Sequence, residues 1–183
     1  MQDKDMKWKT LSQRYLIERQ WLTARVDKVQ LPTGAIVDEY YVLEYPDWVN
    51  TIAITKDGNF VFVRQYRYAL AKTVNELCAG VIEKGEAPLL AAQRELKEET
   101  GYAGGEWQEW MQISANASTH TNITHCFIAR GVELAGNQHL DRGEDIEVRL
   151  FTRGEVLEML RNGEIWQSLM AAPLWKYFAL EEK

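Results

Sequence analysis

Between Gly80 and Tyr102 the chain reads GVIEKGEAPLLAAQRELKEETGY, and these residues admit few backbone paths. Proline breaks a helix interior but suits a first turn, and glycine is a natural helix stop. The spacing therefore predicts a helix that opens at Ala87-Pro88 and ends before Gly101. Upstream, NELCAGVIEKGE predicts a strand running into a glycine-punctuated loop. On the helix, Glu95, Glu98 and Glu99 stand at i, i+3 and i+4, so three carboxylates project from one face. Leu89, Ala92 and Leu96 lie at helical spacing and form the expected buried side. Two readings of the acids compete. One is a solvated face balanced by Arg94 and Lys97. The other is a site for magnesium, a hard cation that prefers oxygen ligands and keeps positions open for water and phosphate.

The remaining sequence predicts strands and helices that mix without strict alternation, hence an α+β chain with a mixed sheet between helices. ERQWLTARVDKVQL and AIVDEYYVLEY, joined at Pro32-Thr33-Gly34, read as a hairpin, and TIAITKDGNFVFVRQYRY reads as a strand pair turning at Asp57-Gly58-Asn59. WQEWMQI, THCFIARGVEL and IEVRLFT read as strands, and TRGEVLEMLRNGEI as an amphipathic helix. The closing IWQSLMAAPLWKYFALEE has helical composition that Pro173 is expected to interrupt. A soft boundary near Asp47 separates residues 1–46, a small antiparallel sheet region, from residues 47–183. With 183 residues, 46% of them hydrophobic, two large domains are excluded.

A net charge of -6 argues against nucleic acid as a partner, because phosphate-backbone binders carry a surplus of lysine and arginine. Cys78 and Cys126, both in apolar surroundings without CxxC spacing, read as buried reduced thiols. MQDKDMKWKTL has no apolar leader segment and no run reaches the length of a membrane span, so the expected location is cytoplasmic, with no membrane partner.

The fixed spacing of Gly80, Glu86, Arg94, Glu95, Glu98, Glu99 and Gly101, with Leu96 as the aliphatic position, resembles the Nudix box. RQYR, ELCAGVIEKGE and GEDIEV extend that resemblance over most of the chain, toward the ADP-ribose pyrophosphatase group of nucleoside diphosphate sugar hydrolases. The resemblance implies a Nudix fold: a mixed sheet sandwiched between helices, preceded by an amino-terminal sheet that in this group commonly builds a homodimer. It implies hydrolysis of the pyrophosphate bond of a nucleoside diphosphate derivative with Mg2+, or Mn2+ as a substitute. The implied metal ligands are Glu95, Glu98, Glu99 and the backbone carbonyl of Ala79. Glu86 matches the loop acid, here a supporting residue, and Arg94 is expected to orient the carboxylates by charge-assisted hydrogen bonds. Gly80 and Gly101 read as backbone requirements.

Relatives often take their catalytic base from a loop beyond the box. LDRGEDIEV is the matching stretch, with Glu144 the choice and Asp141 and Asp145 in reserve, although such a loop is equally a solvated turn. Arg67, with Arg64 as the lesser candidate, and Glu76 match substrate-side positions. Trp48, with Tyr45 nearby, offers a surface for stacking on a base, or simply a core or interface tryptophan. One departure from the group concerns substrate. Where a proline is usual, the chain has Ala117 within ANASTHTNITH, whose Asn116, Thr119, His120, Asn122 and His125 offer hydrogen bonds to a base or sugar. ADP-ribose thus stands beside GDP-mannose, other nucleotide sugars and dinucleotides, and a non-catalytic nucleotide sensor remains a further reading.

Overall fold

A computed structural model describes residues 5–180. The chain divides into two compact units, one built from residues up to Pro46 together with Asn116–Asn122, the other from Asp47–Ala115 and the residues from Ile123 onward. In the first unit three antiparallel strands, β1 (Lys9–Arg19), β2 (Leu22–Gln30) and β3 (Ile36–Glu44), form one sheet in that order. The expected hairpin is β2 and β3. Its turn closes with the Gly34 N–H donating to the Leu31 carbonyl at 2.9 Å, and Gly34 adopts a φ of 88°, a conformation glycine reaches without a Cβ penalty.

Strand β1 was not expected, because KTLSQRYLIER carries no clean alternation of apolar and polar residues. Every residue of β1 is exposed in this chain, including Leu11, Tyr15, Leu16 and Ile17. The segment Asn116–Asn122 also joins this unit by backbone bonds, Leu43 N–H to the Thr119 carbonyl and Thr121 N–H to the Leu43 carbonyl.

The second unit is built on a mixed sheet. β4 (Trp48–Thr55) runs antiparallel to β5 (Phe60–Arg67) and parallel to β10 (Thr124–Leu134). β6 (Lys72–Glu76) pairs antiparallel with β5, and β7 (Cys78–Val81) pairs antiparallel with β4. β8 (Tyr102–Ala103) and β9 (Glu106–Ile113) lie on β10, and β11 (Ile146–Phe151) closes the edge beside β5. Where one strand was expected through NELCAGV, two short ones occur, broken at Leu77.

Alternation along these strands sorts the core into two layers. Ile52, Phe60, Phe62, Leu77 and Ile128 pack against α2 (Arg153–Arg161) and α3 (Ser168–Leu180), through Val156, Leu174 and Phe178. On the other layer Ala53, Val61, Cys78 and Ala129 meet Leu96 of α1 (Pro88–Thr100). α1 opens at the expected proline and ends at Gly101 with a φ of 75°. Its buried residues are Ala91, Ala92, Leu96, Glu99 and Thr100, which corrects the expectation for Leu89: that side chain is exposed, because the stripe is centred one residue further along.

α2 starts in a reciprocal cap. The Thr152 hydroxyl accepts from the Glu155 N–H, and the Glu155 carboxylate accepts from the Thr152 N–H. α3 runs through Pro173 rather than stopping there. A proline lacks the N–H that would bond the carbonyl four residues earlier, and that carbonyl, Leu169, instead accepts from the buried Asn50 side chain at 2.7 Å. The helix therefore keeps its bonding by borrowing a donor from β4. Among the described residues no helix is long and apolar enough to cross a membrane.

Candidate active site

Helix α1 carries the acids on the face it turns toward β7. Leu96 and Ala92, buried in the sheet contact, set the helix rotation, and Glu99 three residues beyond Leu96 is drawn in with them to 4% exposure. Its Oε2 accepts from the Ala79 N–H at 3.0 Å. The candidate ligand residue Ala79 therefore meets Glu99 through its amide. Burial pushes the Glu99 carboxyl up to about 7, with Glu95 and Glu144 adding to the rise, while the Cys78 thiol and the Ala79 amide oppose it. Burial likewise raises Glu95. The Cys78 thiol is raised well above its ordinary value by burial and then by Glu99; both cysteines are buried and free, as expected.

Arg94 organises the remaining acids. Its Nε and Nη2 donate to the two Glu86 oxygens, each at 2.9 Å, and Nη2 also donates to the Val81 carbonyl at 3.0 Å. Nη1 donates to Glu95 at 2.8 Å and to Glu98 at 3.1 Å. A guanidinium has five N–H groups, and all of them are engaged here. This bonding to Arg94 holds the Glu86 carboxyl below its ordinary range, since it favours the charged form. Glu86 also accepts from the Glu83 N–H, which ties the loop between β7 and α1 to the same arginine.

Gly80 completes this arrangement by what it lacks. A Cβ at Gly80 would fall inside the space held by the Glu95 carboxylate, closer than real Cβ contacts occur. Gly101 meets the expected backbone requirement through its left-handed φ, whereas Gly80 makes room for a side chain.

The acids suit a hard divalent cation on two counts. Buried Glu99 and half-buried Glu95 are both raised by desolvation, Glu99 with no cationic side chain bonded to it among the described residues, and all candidate donors are oxygens. They do not form a closed cage. Among the described residues no three histidine, cysteine, aspartate or glutamate side chains converge tightly enough to hold an ion alone. Magnesium commonly binds one or two carboxylates and fills its shell with water and phosphate, so an open arrangement fits it.

The loop between β10 and β11 brings Glu144 near enough to raise Glu95, Glu99 and Cys78 electrostatically. Glu144 itself closes a turn, accepting from the Asp141 N–H at 2.9 Å and donating its own N–H to the Asp141 carbonyl at 2.9 Å. Asp141 and Asp145 are exposed on the same loop. Gln138, which nothing in the sequence distinguished from its polar neighbours, anchors this loop: its Nε2 donates to the Glu99 carbonyl at 2.6 Å and to the Ile146 carbonyl at 3.2 Å.

The substrate-side candidates separate. Arg67 donates to Glu76 through Nε at 3.0 Å and Nη2 at 2.6 Å, and Gln65 adds a third bond to the same oxygen at 3.3 Å. Glu76 is buried on the sheet face that also carries Cys78. Arg64 lies on the opposite face of β5, paired with exposed Glu147 at 3.3 Å, so the structure does not bring it together with Arg67. Trp48 starts β4, half-buried between Val81 and Thr124. Tyr45 packs edge-on against His120 within the first unit, and His125 lies 3.8 Å from Asp47 in the second. Asn122 is buried, whereas Asn116 and Thr119 are at or near the surface.

A mixed sheet between helices, with one helix presenting arginine-held carboxylates over a strand, defines the Nudix class of folds. A solved structure described as an ADP compounds hydrolase superposes with a TM-score of 0.83 at 17% identity, covering 98% of each chain. The NUDIX domain model matches residues 45–171, and the model for the nucleoside diphosphate sugar hydrolase N-terminal domain matches residues 8–43. The chain belongs to the NUDIX family. Among its relatives, the methanol dehydrogenase activator of Bacillus methanolicus is 32% identical, over 95% of this chain and 94% of its own. The ADP-ribose pyrophosphatase of Bacillus subtilis (strain 168) is 29% identical over 98% and 96%. The GDP-mannose pyrophosphatase of Escherichia coli (strain K12) is 34% identical over 61% and 62%.

Proposed function

We infer that this chain hydrolyses the pyrophosphate bond of a nucleoside diphosphate derivative, with an ADP-sugar such as ADP-ribose, giving AMP and ribose 5-phosphate, as the leading substrate. The single observation that carries this reading is the set of α1 carboxylates over β7, with Glu95 and Glu98 held by Arg94, Glu95 lying over Gly80, and Glu99 held by the Ala79 N–H. ADP-ribose is favoured by the relative from Bacillus subtilis, which matches nearly the whole chain; the GDP-mannose pyrophosphatase matches a smaller share.

In this reading Glu95, Glu98 and Glu99, with the Ala79 carbonyl, hold Mg2+, for which Mn2+ would substitute. The cation would offset the charge of the diphosphate and help ionise the attacking water. Arg94 keeps Glu95 and Glu98 aimed while Glu86 anchors Arg94. Glu144 accepts the proton of the water, from a loop that its neighbours already place in the field of Glu95 and Glu99. Arg67 is the diphosphate contact, with Glu76 as the partner that presents its guanidinium. Trp48 is a stacking surface for the base, and Arg64 is a remote contributor at most, since it faces away from Arg67.

A panel of ADP-ribose, GDP-mannose, other nucleotide sugars, dinucleotides and nucleoside triphosphates, each with magnesium and with chelator, tests the reading. The expected result is magnesium-dependent cleavage with ADP-ribose as the best substrate. Cleavage of none would sink the enzyme reading in favour of a nucleotide sensor; preference for GDP-mannose would move the substrate and leave the chemistry standing.

The exposed apolar side chains of β1 further support a homodimer built through the amino-terminal sheet. Light scattering is expected to give twice the mass of the chain, and a monomeric mass would overturn that part of the reading. A cytoplasmic location accords with two buried cysteines left as thiols.

A further inference from the structure

We propose that Gln138 is a positioning residue: it clamps the loop between β10 and β11 across the end of α1, and so sets where Glu144 stands relative to the carboxylate cluster. This rests on the reading of Glu144 as the proton acceptor. The last carbonyls of a helix have no partner within it. At the end of α1 the loop supplies partners. The His139 N–H donates to the Glu98 carbonyl at 2.8 Å, the Gln138 side chain donates to the Glu99 carbonyl at 2.6 Å, and the Ala135 N–H donates to the Gly101 carbonyl at 2.8 Å.

Glu98 and Glu99 therefore have two jobs on one backbone. Their carboxylates join the candidate cation site, while their carbonyls anchor the loop that carries Glu144. Gln138 spends its second amide hydrogen on the Ile146 carbonyl at 3.2 Å, fastening the loop where it enters β11. Within the exposed run from Glu133 to Asp145, Gln138 alone is half-buried. Between the anchor and Ile146, Glu144 is held by the turn it makes with Asp141. The two amide hydrogens of Gln138 thus tie both ends of the segment bearing Glu144, and no other side chain does so among the described residues.

The test is Gln138→Leu, which keeps the bulk and removes both donors, alongside Glu144→Gln and the double variant. In the metal-free protein, amide exchange at His139 is expected to accelerate about tenfold, because its bond to Glu98 loses the neighbouring clamp. Turnover is expected to fall about 10- to 100-fold with KM unchanged, the scale of a misplaced catalytic group. In the Glu144→Gln background, Gln138→Leu is expected to add no further loss, since it acts through Glu144.

Unchanged exchange at His139, wild-type kcat in Gln138→Leu, or losses that multiply in the double variant would each overturn the inference. Wild-type turnover in Glu144→Gln alone would instead overturn the assignment of the base.

Discussion

Glu99→Gln is expected to cut magnesium-dependent turnover by about 10³-fold or more while stabilising the metal-free protein at pH 8. The first effect follows from the loss of a charged oxygen at the cation site. A divalent ion contributes several kcal/mol of transition-state stabilisation, and about 1.4 kcal/mol corresponds to tenfold in rate. The second follows from burial. The Glu99 carboxyl rises from 4.5 to about 7 chiefly because its surroundings disfavour the charge. Between those two values the folded state holds a proton that the unfolded state has lost, so stability falls as pH rises through this window and is lowest above 7.

At roughly 1.4 kcal/mol per pH unit, the interval amounts to about 3 kcal/mol for a side chain that is 4% exposed. Glutamine carries no charge and still offers an oxygen to the Ala79 N–H. Thermal melts in chelator are expected to show the variant up to about 6–10 °C above wild type at pH 8. At pH 4, below both values, the two proteins are expected to melt together. Equal melting temperatures at pH 8 would show that the buried charge is not a cost, and the case for a cation there would weaken with it.

How far the sequence anticipated this site follows from the range of the interactions involved. Glu95, Glu98 and Glu99 lie within two turns of one helix, and a repeat of 3.6 residues places them on one face whatever else the chain does. Arg94 and Glu86 are almost as local, so the Nudix box was legible as a unit. The helix stop at Gly101 was equally local.

What escaped depends on partners distant in sequence. Nothing within α3 says that Pro173 can sit inside a helix; that depends on Asn50 supplying a donor from β4. Gln138 is one polar residue among several in GNQHLDRGED, and only the folded loop shows it reaching the Glu99 carbonyl. Strand β1 lacks alternation because no residue of it is buried in the chain by itself. Arg64 and Arg67 sit close in sequence, yet their offset of three positions along β5, an odd number, sends them to opposite faces. Leu89 was misplaced by a single residue's rotation, a difference that the spacing of so few apolar residues does not resolve.

Gly80→Ala separates a structural glycine from one that makes room for chemistry, and it is expected to cost both stability and activity. Gly80 does not need a positive φ, so alanine suits its backbone and no conformational strain is added there. The added methyl instead overlaps the Glu95 carboxylate. One of two things must yield. If Glu95 turns away, the Arg94 Nη1 loses its 2.8 Å partner and the cluster loses a carboxylate; if β7 shifts, the Ala79 N–H is pulled from Glu99. Either path moves a candidate ligand by about the width of a methyl group, and misplacement on that scale costs about 10²-fold in turnover. Forcing a group into filled space costs a further 1–3 kcal/mol or so in stability, measurable by urea denaturation. A second substitution distinguishes crowding from a general disturbance. Glu95→Asp withdraws the carboxylate by one methylene, so the pair Gly80→Ala with Glu95→Asp is expected to recover stability without recovering turnover. Stability losses that simply add in the pair would mean that the methyl is opposed by something other than Glu95, and the account of Gly80 as a space left for a ligand would fail.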